Sequence, residues 1–213
     1  RQTIVSDDTW RSADGPIRYS EFFNGECYDA QKERTGWLSP GYDDTQWTPV
    51  KIGTADPAAR LIASIAPLVK KHEVFKPLSI LKTPKGETVI DFGQNLVGWV
   101  RFRTSGHKGD TIMLRHGEVL DPNGNFYTAN LRSALQTITY IAKGTDNEWF
   151  EPHFTFQGFR YVKVEDPLDL RNVEAIALYS DMDVTCDFST SDTLINQLQH
   201  DIQWGQKGNF IYM

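Results

Sequence analysis

The chain has 213 residues and a mildly acidic balance, with 28 Asp and Glu against 22 Lys and Arg, for a net charge of −6. No basic block or stripe is present, so nucleic-acid binding lacks its electrostatic footprint, and no apolar run approaches the roughly 20 residues that a membrane-spanning helix needs. The 6 Trp, 8 Tyr and 12 Phe, beside 16 Gly and 10 Pro, favour an all-β chain of short aromatic strands and tight turns. The two cysteines, Cys27 and Cys186, are too few for a disulfide framework or a four-cysteine zinc site. They read as free buried thiols, which leaves secreted, periplasmic and cytoplasmic settings all open. Arg1 opens the chain without Met or a signal peptide, as a processed or excised segment would.

In chain order, residues 1 to 78 read as irregular and rich in turns. Asp14-Gly15-Pro16 and Ser39-Pro40-Gly41 are turn signals. Between them the alternation from Ile17 to Phe23 fits a strand. Too few strands are evident for a complete domain, so this segment is expected to be part of a β-module. From residue 79 the pattern becomes regular. Strands are expected at Glu87 to Phe92, Leu96 to Thr104, Thr111 to Glu118, Thr137 to Lys143, Trp149 to Phe156, Tyr161 to Glu165 and Val173 to Tyr179. Period-two alternation puts Val100, Phe102, Ile112, Leu114, Tyr140 and Val162 on an inward face. Short alternating strands of this kind pack as antiparallel sheets face to face. After residue 183 the period changes. Leu194, Leu198 and Ile202 recur at four-residue steps, with Ile195 beside them, which is a helical stripe. The run Ser189 to Asp192 can cap its start.

Several residues invite a chemical reading. His116 and Glu118 alternate on one strand, and a structural hydrogen-bond pair at a sheet end accounts for them. Asp91, Gln94 and Asn95 are suited to bonding turn backbone groups. Asp121-Pro-Asn-Gly-Asn125 lacks the glycine and glutamate spacing of an EF-hand and reads as a turn. The richest binding candidate is the set Tyr28, Asp29, Trp37, Asp43, Asp44 and Trp47. It offers flat apolar rings beside carboxylates, the pairing that sugars require. Core or interface packing of the same tryptophans is the competing reading. No set of residues stands out as metal ligands.

Several ordered strings carry a family resemblance over nearly the whole chain. These are Asn24-Gly-Glu-Cys-Tyr-Asp-Ala30, Gly36-Trp37, Gly41-Tyr-Asp-Asp44 with Trp47, and Asp91-Phe-Gly-Gln-Asn-Leu-Val-Gly98. They continue with His116-Gly-Glu-Val-Leu120, Gly124 to Arg132, Phe156-Gln-Gly-Phe-Arg-Tyr161, and Phe188 to Asp192 followed by Ile202 to Phe210. Together they resemble the non-catalytic β-sandwich region of bacterial α-L-rhamnosidases, glycoside hydrolase family 78. The resemblance implies an antiparallel β-sandwich of jelly-roll or concanavalin-like type, preceded by part of a second β-module and followed by one helix. The expected division is 1–78 for a partial N-terminal β-module, 79–183 for the sandwich, and 184–213 for a linker and the first helix of an (α/α)6 barrel.

The family is of the inverting kind, which needs two carboxyl groups across one glycosidic bond. Its catalytic acidic motif has no counterpart in residues 1–213, so no catalytic residue is assigned. The resemblance implies a parent enzyme that removes terminal α-L-rhamnose, with this segment as accessory scaffold. The alternative is a carbohydrate-binding module for rhamnosyl glycans, possible with calcium assistance though no cofactor is required. Expected partners are a rhamnose-containing glycan or glycoside, the catalytic barrel of the same protein, and a second copy of the chain through the helix.

Overall fold

The computed structural model describes residues 3–54, 59–60, 62–103, 106–145, 147–165 and 172–211. Its centre is β7, Thr88–Arg103, a single strand of 16 residues where the sequence pattern predicts two. Thr104, the expected end of the second, lies outside the described residues. β7 changes neighbours along its length. Its first half pairs with β6 (Ser79–Lys82) and with the C-terminal half of β11 (Gln157–Val164). Its second half pairs with the start of β11, with β10 (Trp149–Phe150) and with β12 (Val173–Ser180).

The main sheet runs β2 (Ile17–Glu21), β3 (Gly25–Asp29), β9 (Thr137–Ile141), β8 (Thr111–Gly117), β11, β7, β12 and β5 (Val69–Phe75). Its pairs are antiparallel except β3 with β9, which is parallel. β2, β3 and β5 come from the segment whose pattern was irregular, and they complete the sheet at both edges. β1 (Arg11–Ser12) and β4 (Thr48–Pro49) form a separate two-stranded ribbon.

The sheet curls, and aromatic side chains mark where its limbs meet. Phe102 on β7 contacts Tyr140 on β9 at 5.9 Å between ring centroids, edge to face, although β8 and β11 lie between them in the sheet. Phe150 touches Phe102, Tyr140 and Tyr28 at 5.4, 4.8 and 5.1 Å. Burying such a ring contributes about 1.5–3 kcal/mol, and truncating one costs about 3–5 kcal/mol. Val100, Phe102, Ile112, Leu114, Tyr140 and Val162 are all buried in this core, as the alternation predicts.

Two glycines of the recurring strings are required by close backbone approach. A Cβ on Gly98 would lie 1.8 Å from the Ile176 carbonyl oxygen. Gly25 combines φ of +100° with a Cβ position 2.1 Å from the Thr137 carbonyl oxygen, where β3 meets β9. Both contacts are with backbone, which cannot swing aside.

Among the described residues one α-helix is present, α1, Thr193–Asn209. Asp192 caps it, accepting from the N–H groups of Leu194 and Ile195 at 2.8 and 3.4 Å. α1 lies on β7 and β12 through its polar and aromatic side. Trp204 packs edge-on to Phe75 at 5.4 Å. Lys207 reaches Glu73 at 2.6 Å and sits over the Trp204 ring at 4.3 Å. The stripe Leu194, Ile195, Leu198 and Ile202 faces away from the sheet, with exposures from 45% to 79%.

The glycine contacts make a direct prediction. Gly98→Ala should cost at least about 3 kcal/mol, because β7 and β12 must separate to admit the methyl group. Gly158→Ala, whose Cβ would meet Glu118 Oε1 at an ordinary 3.5 Å, should cost less than about 1 kcal/mol. Urea unfolding of the two variants beside the parent chain measures both.

Candidate functional site

Where β7 passes β11, the register breaks. Phe159 pairs with Leu96, and Tyr161 pairs with Asp91, so residues 92–95 of β7 oppose Arg160 alone. The surplus chain bulges outward at Gly93, Gln94 and Asn95. Gly93 takes φ of +79° there. Arg160, at the break, closes on Asp91 with two parallel bonds of 2.8 Å. Asp91 also accepts from Gly93 N–H at 2.7 Å, and the Asp91 carbonyl accepts from Leu78 N–H at 2.8 Å. The Arg160 guanidinium holds the Asp91 carboxyl below its ordinary range, against burial. Asn95 donates to Glu118 at 3.1 Å. Together with α1 the bulge walls a cleft of about 540 Å³, lined by Gly93, Gln94, Asn95, Glu118, Val119, Arg160, Gln197, His200 and Asp201. Three strings far apart in sequence thus meet at one place.

A second cleft of about 550 Å³ lies between α1, β12 and the chain that joins them, with His72, Glu73 and Tyr179 on one wall. A third is a recess of about 140 Å³ lined by Tyr28, Glu33, Tyr140, Glu148, Trp149, Phe150, Glu151 and His153. Its carboxylates are committed. Glu33 accepts from Tyr28 and Lys143, Glu148 pairs with Lys143, and Glu151 holds Lys71 and the Trp99 ring N–H.

Beside that recess sits Glu26, whose side chain is 0% exposed. It accepts from His153 Nδ1 at 3.0 Å, His153 N–H at 2.9 Å, Phe154 N–H at 3.2 Å and the Ser20 hydroxyl at 2.9 Å. Burial pushes its pKa up, but these four donors outweigh burial and hold it below the ordinary carboxylate value. The Glu26 bond in turn raises the His153 pKa, against burial. His153 stacks on Tyr28 at 5.3 Å and 8°. This clasp ties the early strands β2 and β3 to the loop before β11.

Of the six residues singled out in the sequence, Tyr28 lines the small recess and belongs to the core. Asp29 caps a 3-10 turn at Ala30–Lys32 through Gln31 N–H. Asp43 accepts from Thr45 N–H at 3.0 Å, and the Asp44 carbonyl from Trp47 N–H at 2.8 Å. Trp47 packs against Tyr42 at 5.8 Å and lies under Arg34, while Trp37 is exposed. None of the last five lines any of the three clefts. No group of three or more His, Cys, Asp or Glu side chains among the described residues is placed to hold a metal ion.

His116 and Glu118 do not pair. His116 is fully buried and donates from Nδ1 to the Gln136 carbonyl at 2.9 Å, and burial lowers its pKa to about 4. Asp121 closes its turn by accepting from the N–H groups of Asn123 and Asn125 at 2.9 and 2.8 Å. Both cysteines are free, but Cys27 is half-buried and Cys186 exposed, so the expectation of buried thiols is not met. Sequence reasoning passed over Arg160 and His153 as members of these sites. An Arg and a His with acidic partners 69 and 127 residues away leave no local signal.

Two family models match the chain: the alpha-L-rhamnosidase N-terminal domain over residues 1–73, and the bacterial alpha-L-rhamnosidase concanavalin-like domain over residues 81–179. The chain belongs to the bacterial α-L-rhamnosidase family. It is 41% identical to an α-L-rhamnosidase of Streptomyces avermitilis over 99% of its own length and 21% of that protein. It is 36% identical to one of Formosa agariphila over 99% of its length and 23% of that protein. Its fold superimposes on the S. avermitilis α-L-rhamnosidase complexed with L-rhamnose with a TM-score of 0.90 at 42% identity, over 98% of this chain and 20% of that one. The native enzyme of Aspergillus terreus gives 0.88 at 40% identity, over 98% of this chain and 24% of that one. The chain therefore spans about a fifth of the length of these relatives. The bulge lies within the concanavalin-like match, and the clasp joins that match to the N-terminal one.

The clasp sets a pH dependence. His153 has a folded pKa above its ordinary 6.5, so its contribution is complete below that value and is lost as pH rises through the folded one. Glu26 has a depressed folded pKa, so its contribution is present above the ordinary carboxylate value and lost as pH falls. His116 is kept neutral by burial and costs stability as pH falls from 6.5 toward about 4. The thermal midpoint should therefore be highest near neutrality or just below it and fall on both sides. Glu26→Gln should flatten the alkaline fall. It should also lower stability by about 3 kcal/mol, as removing one partner of a buried pair does. Thermal unfolding between about pH 4 and pH 9 tests both statements.

Proposed function

We propose that residues 1–213 form the non-catalytic accessory scaffold of an α-L-rhamnosidase-type glycoside hydrolase. The parent protein removes terminal α-L-rhamnose from a glycan or glycoside. The observation that carries the reading is electrostatic. Hydrolysis of a glycosidic bond by inversion needs a carboxylic acid held protonated, hence with a raised pKa, facing a carboxylate base across room for a water. Among the described residues the two buried carboxylates, Glu26 and Asp91, are saturated by hydrogen bonds and shifted down. The more exposed Glu73, Glu87, Glu148 and Asp181 are also shifted down. These groups serve as acceptors in a framework and are poor proton donors. The L-rhamnose in the S. avermitilis structure supports a rhamnosyl substrate for the parent.

The division 1–78, 79–183 and 184–213 remains part of this proposal, with α1 as the first helix of an (α/α)6 barrel. The outward apolar stripe supports it. A helix that meets the sheet with Trp204 and Lys207 and shows Leu194, Ile195, Leu198 and Ile202 to the other side is built to be covered by further helices. A second copy of the chain is the other occupant of that stripe. Carbohydrate binding through Tyr28, Asp29, Trp37, Asp43, Asp44 and Trp47 is a second reading, favoured by the exposed Trp37 ring. It is opposed by the use of Asp29 and Asp43 on turn N–H groups.

Residues 1–213 should not hydrolyse an aryl α-L-rhamnoside. Turnover proportional to purified chain, and lost when one of its own carboxylates is replaced, would overturn the scaffold reading. The double variant Leu198→Glu, Ile202→Glu should leave the sandwich intact. Its thermal midpoint should stay within about 2 °C of the parent's, and sedimentation should show weaker self-association.

A further inference from the structure

We propose that the cleft between the β7 bulge and α1 is a binding site for a neutral polyhydroxylated ligand, a pyranose unit, held by Gln94, Asn95, Glu118 and Arg160. No resemblance or comparison assigns a role to this cleft. Its volume, about 540 Å³, lies in the range of roughly 300–1,000 Å³ usual for small-ligand sites. Its walls are planar polar groups. Each uses one side of its hydrogen-bonding capacity within the protein and keeps the other. Gln94 donates to the Asn95 carbonyl, Asn95 donates to Glu118 Oε1, and Arg160 gives Nε and Nη2 to Asp91. Among the described residues, Gln94 Oε1, Asn95 Oδ1, Glu118 Oε2 and Arg160 Nη1 have no protein partner in these contacts. Amide, carboxylate and guanidinium edges that alternate acceptor with donor match vicinal hydroxyls, each of which both donates and accepts.

Charge narrows the class of ligand. Arg160 is already neutralised by Asp91, and Glu118 and Asp201 add two carboxylates to the lining, so an anion is disfavoured. Among the described residues, no cluster of three or more His, Cys, Asp or Glu side chains offers a cation a site. A neutral polar molecule remains. Val119, exposed at the rim, gives a small apolar contact for a C–H face or a ring methyl. The bulge is also held in place before any ligand arrives, by the two Asp91–Arg160 bonds and the Asp91–Gly93 bond. Such pre-organisation lowers the entropy cost of binding.

The first probe, L-rhamnose, rests on the function proposed above, while the cleft itself does not. The experiment is a titration of the isotope-labelled chain with L-rhamnose and, separately, D-galactose, followed by amide NMR. The expected result is a saturable, millimolar shift of the Gln94 and Asn95 side-chain amides and of the Gly93 and Glu118 backbone. Asn95→Ala and Glu118→Gln should each weaken binding about tenfold, near 1.4 kcal/mol, with thermal midpoints unchanged. Binding of either sugar at these residues supports the proposal, and a preference for rhamnose also supports the rhamnosyl reading. Absence of shifts at these residues with both sugars overturns it. So do shifts confined to the Tyr28–His153 recess, or variants that bind as the parent does. Hydrolysis by the chain would overturn the scaffold reading and leave this test unaffected.

Discussion

Strand β7 sets the constraint on which the molecule depends. Its two halves have different neighbours, and four of its residues stand opposite one residue of β11. The ladder cannot continue through such a mismatch, so the surplus must leave the sheet. The Asp91–Arg160 pair gives it a fixed shape. That pair is bidentate and mostly shielded, and it is joined by a backbone N–H, which makes it stronger than an exposed surface ion pair. The break lets the sheet turn enough for Phe102 to reach Tyr140 across two intervening strands. The same break raises the wall of the cleft, so core and candidate site have one cause.

The second dependence is the buried Glu26 carboxylate. An uncompensated charge at that depth would be costly, and four donors compensate it. Two of them come from the backbone of His153 and Phe154, so the clasp fixes the path of the chain before β11 as well as a side-chain contact. It does so from β3, a strand that the early segment contributes, and this joins residues 25–29 to a part of the chain more than 120 residues away. The parallel pairing of β3 with β9 needs the same closeness, and Gly25 permits it.

α1 shows a different balance. It is held to the sheet by the Lys207–Glu73 ion pair, the Trp204–Phe75 contact, Lys207 lying over the Tyr179 ring and the bond from Ser180 N–H to the Phe210 carbonyl after its last turn, while its most apolar residues face outward. For a helix packed on a β-sheet this is an inversion of the usual arrangement. The arrangement supports the proposal that α1 is the first helix of a barrel, with its polar and aromatic side on the sheet and its apolar side left for further helices.

Period-two alternation by itself determined the β class and the inward set from Val100 to Val162, because in a strand the side-chain face follows directly from position. The four-residue step determined α1, and Asp192 was legible as its cap because capping is local chemistry. The strings around Asp91, His116 and Phe156 determined the family, since they occur in one order. What they are for was not legible. Asp91 and Arg160 lie 69 residues apart, and Glu26 and His153 lie 127 apart; no periodicity links such partners. β3 and β5 were missed because they are short edge-side strands whose pairing comes from distant neighbours rather than from their own pattern. The six aromatic and acidic residues looked like a sugar site by composition. Only the tertiary structure could separate Tyr28 in the core from Asp29 and Asp43 at turns, and gather Gln94, Asn95, Glu118 and Arg160 around one cleft, because hydrogen-bond capacity is spent or kept according to which groups folding brings within about 3 Å of each other.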